Sequence, residues 1–369
     1  MKQPFKDNPR LLLTIGAAVI VVATILAATA FVTGRVQSLF TDSRRLAGQD
    51  AAVSTDAVDL TSITAQADDR FGVILTSGTY FQQTLKLVGL RWYQDFSFDT
   101  REIPAGTSKV MKVRTNKQTP PDELQSAAKQ RPGSYWLIGN EPNSPSQDDL
   151  SAESYARIFH DYVTTLKEAD PLSKIVAPEI LNLDATCTGC QGYQAGRQWL
   201  DDFRLAYKSL YGQEPPVDVW SIHTYDLDWT HLPQGDYLAQ QRELMAYRDY
   251  LDALPEQRAK PIWLTEFSVV WGYDGMQWRT VDNEPLAFPV GELRRDRLTT
   301  YLQSMVTWLQ ANATALNIQR WFLFASHAYQ EPWAAAPGGI DLVDGTGPAW
   351  HLTDFGRLYK ELAGGKAEN

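Results

Sequence analysis

Two glutamates in this chain stand where an apolar run turns polar. The first is Glu141, in "SYWLIGNEPNSP" (Ser134–Pro145), where a strand-like run ends on Asn140-Glu141. The second is Glu266, in "PIWLTEFSVVWGY" (Pro261–Tyr273). Two carboxyl groups flanking one bond can cleave a glycosidic linkage. One protonates the leaving oxygen, and the other acts as base or nucleophile from the opposite face. Taken singly, each glutamate has an ordinary explanation: a polar turn for Asn140-Glu141-Pro142, and the cap of a following segment for Glu266. Their joint position decides, and that depends on the elements that carry them.

Eight short apolar runs read as strands: Phe71–Thr76, Leu87–Tyr93, Val110–Arg114, Tyr135–Gly139, Lys174–Ile180, Val217–His223, Pro261–Phe267 and Gln319–Phe324. Helical periodicity fills most of the gaps. It is clearest at Ser151–Ala169, where Tyr155, Phe159, Tyr162 and Leu166 share one face, and it continues at Asp122–Gln130, Gly196–Tyr211, Tyr237–Leu254, Leu293–Ala313 and Asp354–Leu362. A short helix fits around Tyr80–Thr84. Continuous apolar strands separated by helices indicate a parallel sheet covered on both faces. Eight such units over residues 69–365 predict a (β/α)8 TIM barrel. A doubly wound open sheet would carry a glycine-rich phosphate loop after its first strand. Here that position reads Leu75-Thr76-Ser77-Gly78-Thr79, which is not that fingerprint.

In such a barrel the chemistry gathers at the C-terminal strand ends. Strand two is expected to deliver Arg91, strand four Asn140 and Glu141, and strand six, "VWSIHTYD", His223 and Tyr225. Strand seven delivers Glu266, with Trp271 in its loop; strand eight delivers Ser326 and His327, with Trp333 beyond. Strands four and seven face each other across the mouth, which brings Glu141 and Glu266 together. Alternation through Ile262, Leu264 and Glu266 reads as one inward row. Arg91 and Tyr225 are the polar groups expected to hold Glu266 ionised, since a nearby arginine lowers a carboxyl pKa. Glu141 is expected in a drier, aromatic setting away from Arg91, protonated at rest. His223 alone reads more readily as a satisfied core histidine; within "SIHTY" it reads as a site residue.

These residues carry a family likeness. "WLIGNEPN" (Trp136–Asn143) resembles the strand-four motif of the retaining glycoside hydrolases of clan A, the cellulase-like (β/α)8 superfamily. "IWLTEFS" (Ile262–Ser268) is similar to its strand-seven nucleophile motif, and Arg91 and "IHTY" (Ile222–Tyr225) to its supporting residues. The resemblance implies Glu141 as acid/base and Glu266 as nucleophile. It implies that Asn140 bonds the sugar 2-hydroxyl and that His223 or Tyr225 orients a glutamate. One departure stands out. The clan commonly ends strand eight on a tryptophan that floors the sugar subsite, whereas this chain has Phe324-Ala325-Ser326-His327.

The rest of the chain fits an extracytoplasmic sugar enzyme. The 12 Trp and 16 Tyr fill a core or line a cleft; Trp229, Trp271, Trp278 and Trp333 all fall in rim loops, where aromatic faces suit pyranose rings. A net charge of −10 argues against nucleic acid. The 5 His show no metal-binding spacing, so no cofactor is expected. Residues 1–10 are a basic cytoplasmic tail, and Leu11–Thr33 is an uncharged apolar run long enough to span a bilayer. It reads as a transmembrane signal-anchor, with cleavage after Ala28-Thr29-Ala30 and secretion as the alternative. Residues 34–68 form a polar linker. Cys187 and Cys190, the chain's 2 cysteines, suit a loop disulfide outside the cytoplasm or two free thiols. The expectation is a membrane-tethered, monomeric glycosidase acting on an extracytoplasmic oligo- or polysaccharide. A non-catalytic carbohydrate-binding barrel and a transglycosylase in exported polysaccharide assembly are the alternatives.

Overall fold

A computed structural model describes residues 68–76, 81–99, 103–185, 192–227, 237–269, 295–327, 340–345 and 350–364. The apolar run 11–33, the linker up to residue 67, Cys187, Cys190, Trp229, Trp271, Trp278 and Trp333 lie outside these residues. Among the described residues no helix is long and apolar enough to cross a membrane.

Among the described residues, nine parallel strands form the main sheet. They are β1 (Phe71–Ile74), β2 (Trp92–Gln94), β3 (Ser108–Lys109), β4 (Met111–Val113), β5 (Tyr135–Ile138), β6 (Lys174–Leu181), β7 (Val219–Thr224), β8 (Ile262–Phe267) and β9 (Ile318–Leu323). Their order is β3-β2-β1-β9-β8-β7-β6-β5-β4. The two outer members are one stretch of chain, broken only at Val110. Its amide donates to Tyr93 O at 2.8 Å, on the β2 side, while Met111 pairs with Trp136 on β5. The sheet therefore closes on itself as a TIM-type barrel, in which β5 is the fourth strand and β8 the seventh.

Among the described residues, seven helices alternate with the strands: α1 (Phe81–Val88), α2 (Pro121–Gln130), α3 (Ala152–Ala169), α4 (Gly196–Tyr211), α5 (Tyr237–Asp252), α6 (Arg295–Asn312) and α7 (Asp354–Leu362). Their ends follow local chemistry. Pro121 opens α2, Ser151 caps α3 by accepting from the Ser154 amide, and Gly212 ends α4 in the left-handed region at φ 75°. A small antiparallel ladder, β10 (Val343–Asp344) with β11 (His351–Leu352), precedes α7.

Two cores result. The inner one takes one buried residue from each strand position: Ile74, Trp92, Val110, Leu137, Val176, Val219, Trp263 and Phe322. Gly72 also faces inward, and a Cβ there would lie 2.4 Å from the Phe322 ring, so the ring uses space that only glycine leaves. The outer core joins strands to helices and contains Ile262, Leu264 and Trp321. Ile262 and Leu264 thus face the helices, not the barrel interior, and the inward row on β8 runs through Trp263 instead.

Candidate active site

Glu266 reaches the interior because β8 carries one extra residue. Leu264 pairs with Ile222, but Glu266 pairs with His223, so Thr265 is the added residue in the ladder. A bulge changes which face the following residues occupy. Glu266 therefore lies beside the inward-facing His223, whereas the regular alternation read from sequence places it there for a different reason. A second bulge falls on β6, where Ala177 pairs with Trp220 but Ile180 pairs with Ile222. It contains Pro178 and Glu179, and Glu179 has φ 56°.

Glu141 is held by the turn that ends β5. Gly139 has φ 93°, and a Cβ there would meet Tyr155 at 3.0 Å. Three successive amides are anchored to three places: Gly139 N to Val113 O at 2.8 Å, Asn140 N to Asp148 Oδ2 at 3.0 Å, and Glu141 N to Glu179 O at 3.0 Å. Asp148 also accepts from the Thr115 amide and from Arg114, so it clamps the turn from below. Glu141 itself sits at φ 46°, a conformation costing a non-glycine residue roughly 1–2 kcal/mol. Farther along, Asn143 bonds both Leu181 N and Leu181 O, and Asn182 bonds both Tyr225 N and Tyr225 O. These two amides lock the strand ends that carry the site to one another.

The side chains converge on His223, which is fully buried. Its Nδ1 lies 2.9 Å from Glu141 Oε1 and 3.9 Å from Glu266 Oε2; its Nε2 lies 3.3 Å from Glu179 Oε1. Tyr225 donates its hydroxyl to Glu266 Oε1 at 2.7 Å. Glu141, Glu266 and His223 each place one polar atom within 4.8 Å of the others. Under them lies Lys112 of β4, its Nζ 3.0 Å from Glu179 Oε2 and donating to Asn140 Oδ1. Asn140 in turn donates from Nδ2 to Gln147 Oε1 at 3.0 Å.

Burial, the largest influence on His223, opposes its charge. The charges and hydrogen bonds of Glu266, Glu141 and Glu179 outweigh it and push the ring up to about 9. The ring is then an imidazolium at neutral pH, donating from both nitrogens. Burial likewise raises Glu266; the Glu141 charge adds to this, and His223, Lys112 and the Tyr225 hydroxyl work against it. For Glu179 burial also pushes upward, but Lys112 and His223 together hold its carboxyl below the ordinary glutamate value.

Arg91 is not part of this arrangement. It precedes β2, at the N-terminal end of the barrel, half exposed and 3.2 Å from Asp69. The apolar run Leu87–Tyr93 is not one strand: Leu87 and Val88 end α1, Gly89 turns the chain at φ 70°, and β2 starts at Trp92. The polar group that β2 sends inward is Gln94, donating to Thr265 O at 2.8 Å. The cation beneath the glutamates is Lys112, and Tyr225 with His223, not an arginine, contacts Glu266.

A family profile, that of the glycosyl hydrolase catalytic core, matches residues 86–359. The chain belongs to that family. It is a glycosidase, as the paired motifs around Glu141 and Glu266 lead one to expect. No curated protein matches the chain. Among solved structures, an endo-β-1,3-glucanase of GH128 subgroup II from Pseudomonas viridiflava is 21% identical at a TM-score of 0.56, over 79% of this chain and 96% of that one. A subgroup II endo-β-1,3-glucanase from Sorangium cellulosum is 20% identical at 0.54, over 79% and 98%. A subgroup I enzyme from Amycolatopsis mediterranei, in complex with laminarihexaose, is 20% identical at 0.52, over 80% and 99%. These likenesses share the barrel fold.

Within this glycosyl hydrolase, Glu179 and Lys112 are site residues that pattern reading passed over. Each had a signal. Lys112 is a lone cation inside the apolar "VMKV", and Glu179 follows a proline inside the strand "KIVAPEIL", where proline marks an irregularity. Phe324, just past the end of β9, is half-buried and, like Phe96, packs against the inner core. Tyr225→Phe tests one contact alone. Losing a hydrogen bond to a charged group should lower kcat about 10- to 100-fold with little change in KM, by steady-state kinetics. An unchanged kcat would remove Tyr225 from the machinery.

Proposed function

We propose that this glycosidase hydrolyses a β-1,3-linked glucan outside the cytoplasm, with retention of configuration, by a two-glutamate double displacement. The observation that supports it most is the spacing of Glu141 and Glu266, whose carboxylates present oxygens no more than 4.8 Å apart. A retaining pair stands about 5–5.5 Å apart, while an inverting pair needs about 6.5–9.5 Å to admit a water between acid and base.

In the first step Glu141 gives its proton to the glycosidic oxygen as Glu266 attacks the anomeric carbon. The old bond breaks, a glycosyl–Glu266 ester forms, and the shortened glucan leaves. In the second step Glu141, now ionised, takes a proton from water. That water attacks the anomeric carbon and frees Glu266. Lys112 and His223 supply two positive charges against the three carboxyl groups of Glu141, Glu179 and Glu266. One proton shared by Glu141 and Glu266 then leaves the cluster neutral, and a substrate oxygen against Glu141 selects the form with the proton there. Asn140 has its carbonyl on Lys112 and one amide hydrogen on Gln147, which leaves its other amide hydrogen for a bond to the sugar 2-hydroxyl.

The linkage is inferred from the structural neighbours named endo-β-1,3-glucanases, one of them bound to laminarihexaose. The location is inferred from Leu11–Thr33 as a membrane anchor with the barrel outside. Chromatography of digests of laminarihexaose and of cellohexaose tests the substrate. Cleavage of the first with the second left intact is expected, and cleavage of only the second would overturn the linkage. Products longer than the substrate would point to transglycosylation.

A further inference from the structure

The Lys112–Glu179 pair lies beneath the glutamates and is sealed from water, at 1% and 0% exposure. Neither residue has a place in the two-carboxylate reaction. Taking two charges out of water costs several kcal/mol for each ion, and an apolar pair of similar volume often gives a more stable protein. The pair nevertheless stands where three strands meet the site. Lys112 comes from β4, Glu179 from the bulge of β6, and His223 from β7. Glu179 is fixed from several sides. Its amide donates to Ser221 Oγ at 3.0 Å, its carbonyl accepts from the Glu141 amide, and its two carboxylate oxygens face Lys112 and His223 separately.

We infer, on the retaining reading above, that Glu179 with its counter-ion Lys112 is a positioning pair: Glu179 holds the Nε2–H of His223, so that the ring stays an imidazolium and presents its Nδ1–H to Glu141. Two consequences follow from the geometry. An imidazolium keeps a donor on Glu141 when that carboxylate ionises in the first step, which stabilises the charge as it develops. It also repels any second proton from the Glu141–Glu266 pair, leaving the single proton that the reaction needs. Lys112 contributes twice, since it neutralises Glu179 and holds the Asn140 carbonyl, fixing the orientation of that amide.

Tyr193, like Tyr225, faces the cluster and feels the Glu141 charge. Glu141 from the β5 turn and Glu266 from β8 lie on the Nδ1 side of His223, and Glu179 alone lies on the Nε2 side. Tyr155 of α3 feels the Glu179 charge, and its hydroxyl is committed to Ile138 O at 2.6 Å. Removing the Glu179 charge therefore leaves no other anion on Nε2 among the described residues.

The test is an NMR titration of the full-length chain carrying a ring-nitrogen histidine label, with the signal assigned by its loss in His223→Gln. Wild type should keep His223 protonated until the pH approaches about 9. In Glu179→Gln the midpoint should fall by about 1 pH unit or more, and kcat on a laminari-oligosaccharide should fall at least about tenfold with KM within about twofold. The Lys112→Met, Glu179→Leu double variant removes both charges at once and guards against misfolding from one unpaired ion. It should remain folded by circular dichroism and show the same fall in midpoint and in kcat. A folded variant of either kind with an unmoved His223 midpoint would overturn the proposal. The titration needs no substrate, so a wild-type chain inert on every glucan would sink the retaining reading while leaving the assignment of Glu179 intact.

Discussion

A Glu266→Gln variant should be inactive, with kcat lower by about 10⁴-fold or more, the scale seen when a covalent nucleophile is removed. The substitution is nearly isosteric, and a glutamine oxygen can still accept from Tyr225, so the site keeps its shape while losing its nucleophile. Circular dichroism should be unchanged, which separates lost chemistry from lost fold. Wild-type kinetics carry a matching signature. Burial and the Glu141 charge raise the Glu266 carboxyl, and the nucleophile must be ionised to attack. The two carboxyls titrate as a pair, so activity should fall on the acid side as a second proton joins Glu141 and Glu266, visible as the acid limb of kcat/KM. Full activity in Glu266→Gln would end the assignment.

The second large effect belongs to Glu141, and it depends on the substrate. In Glu141→Ala, oligosaccharide hydrolysis should drop by about 10²- to 10⁴-fold, the usual range for a general acid/base. An aryl glycoside whose leaving group needs no proton should still form the glycosyl–Glu266 ester quickly, then wait for water that no base activates. Azide needs no base. It should restore turnover and yield a glycosyl azide of retained configuration, because two displacements have occurred. Equal losses on both substrates, with no azide effect, would show that Glu141 is not the acid/base.

Much of this site was legible because barrels end their strands where the chemistry is. Residues 134–141 read as a strand ending on a carboxylate, and β5 does lead into Glu141, which lies beside His223 and Glu266. His223 and Tyr225 followed from β7 in the same way. What the sequence hid were features set by partner strands. Glu266 faces inward because Thr265 bulges against β7, a matter of inter-strand register, so simple alternation reached the correct residue along an incorrect row. Glu179 is aimed by a bulge of the same kind. Arg91 went astray because four apolar residues, Leu87–Leu90, look alike whether they end a helix or start a strand, and only Gly89 marks the boundary. Lys112 was missed because a lone lysine in an apolar strand has no partner until the sheet closes.

The central claim is that two carboxylates with oxygens within 4.8 Å act as a covalent pair. Stereochemistry tests it most directly. The anomeric proton signals of fresh product can be followed by NMR during rapid hydrolysis of laminarihexaose, before mutarotation scrambles them. A double displacement releases the β-anomer first, and the α-anomer appears only later, by mutarotation. First appearance of the α-anomer would mean a single displacement by water and would contradict it.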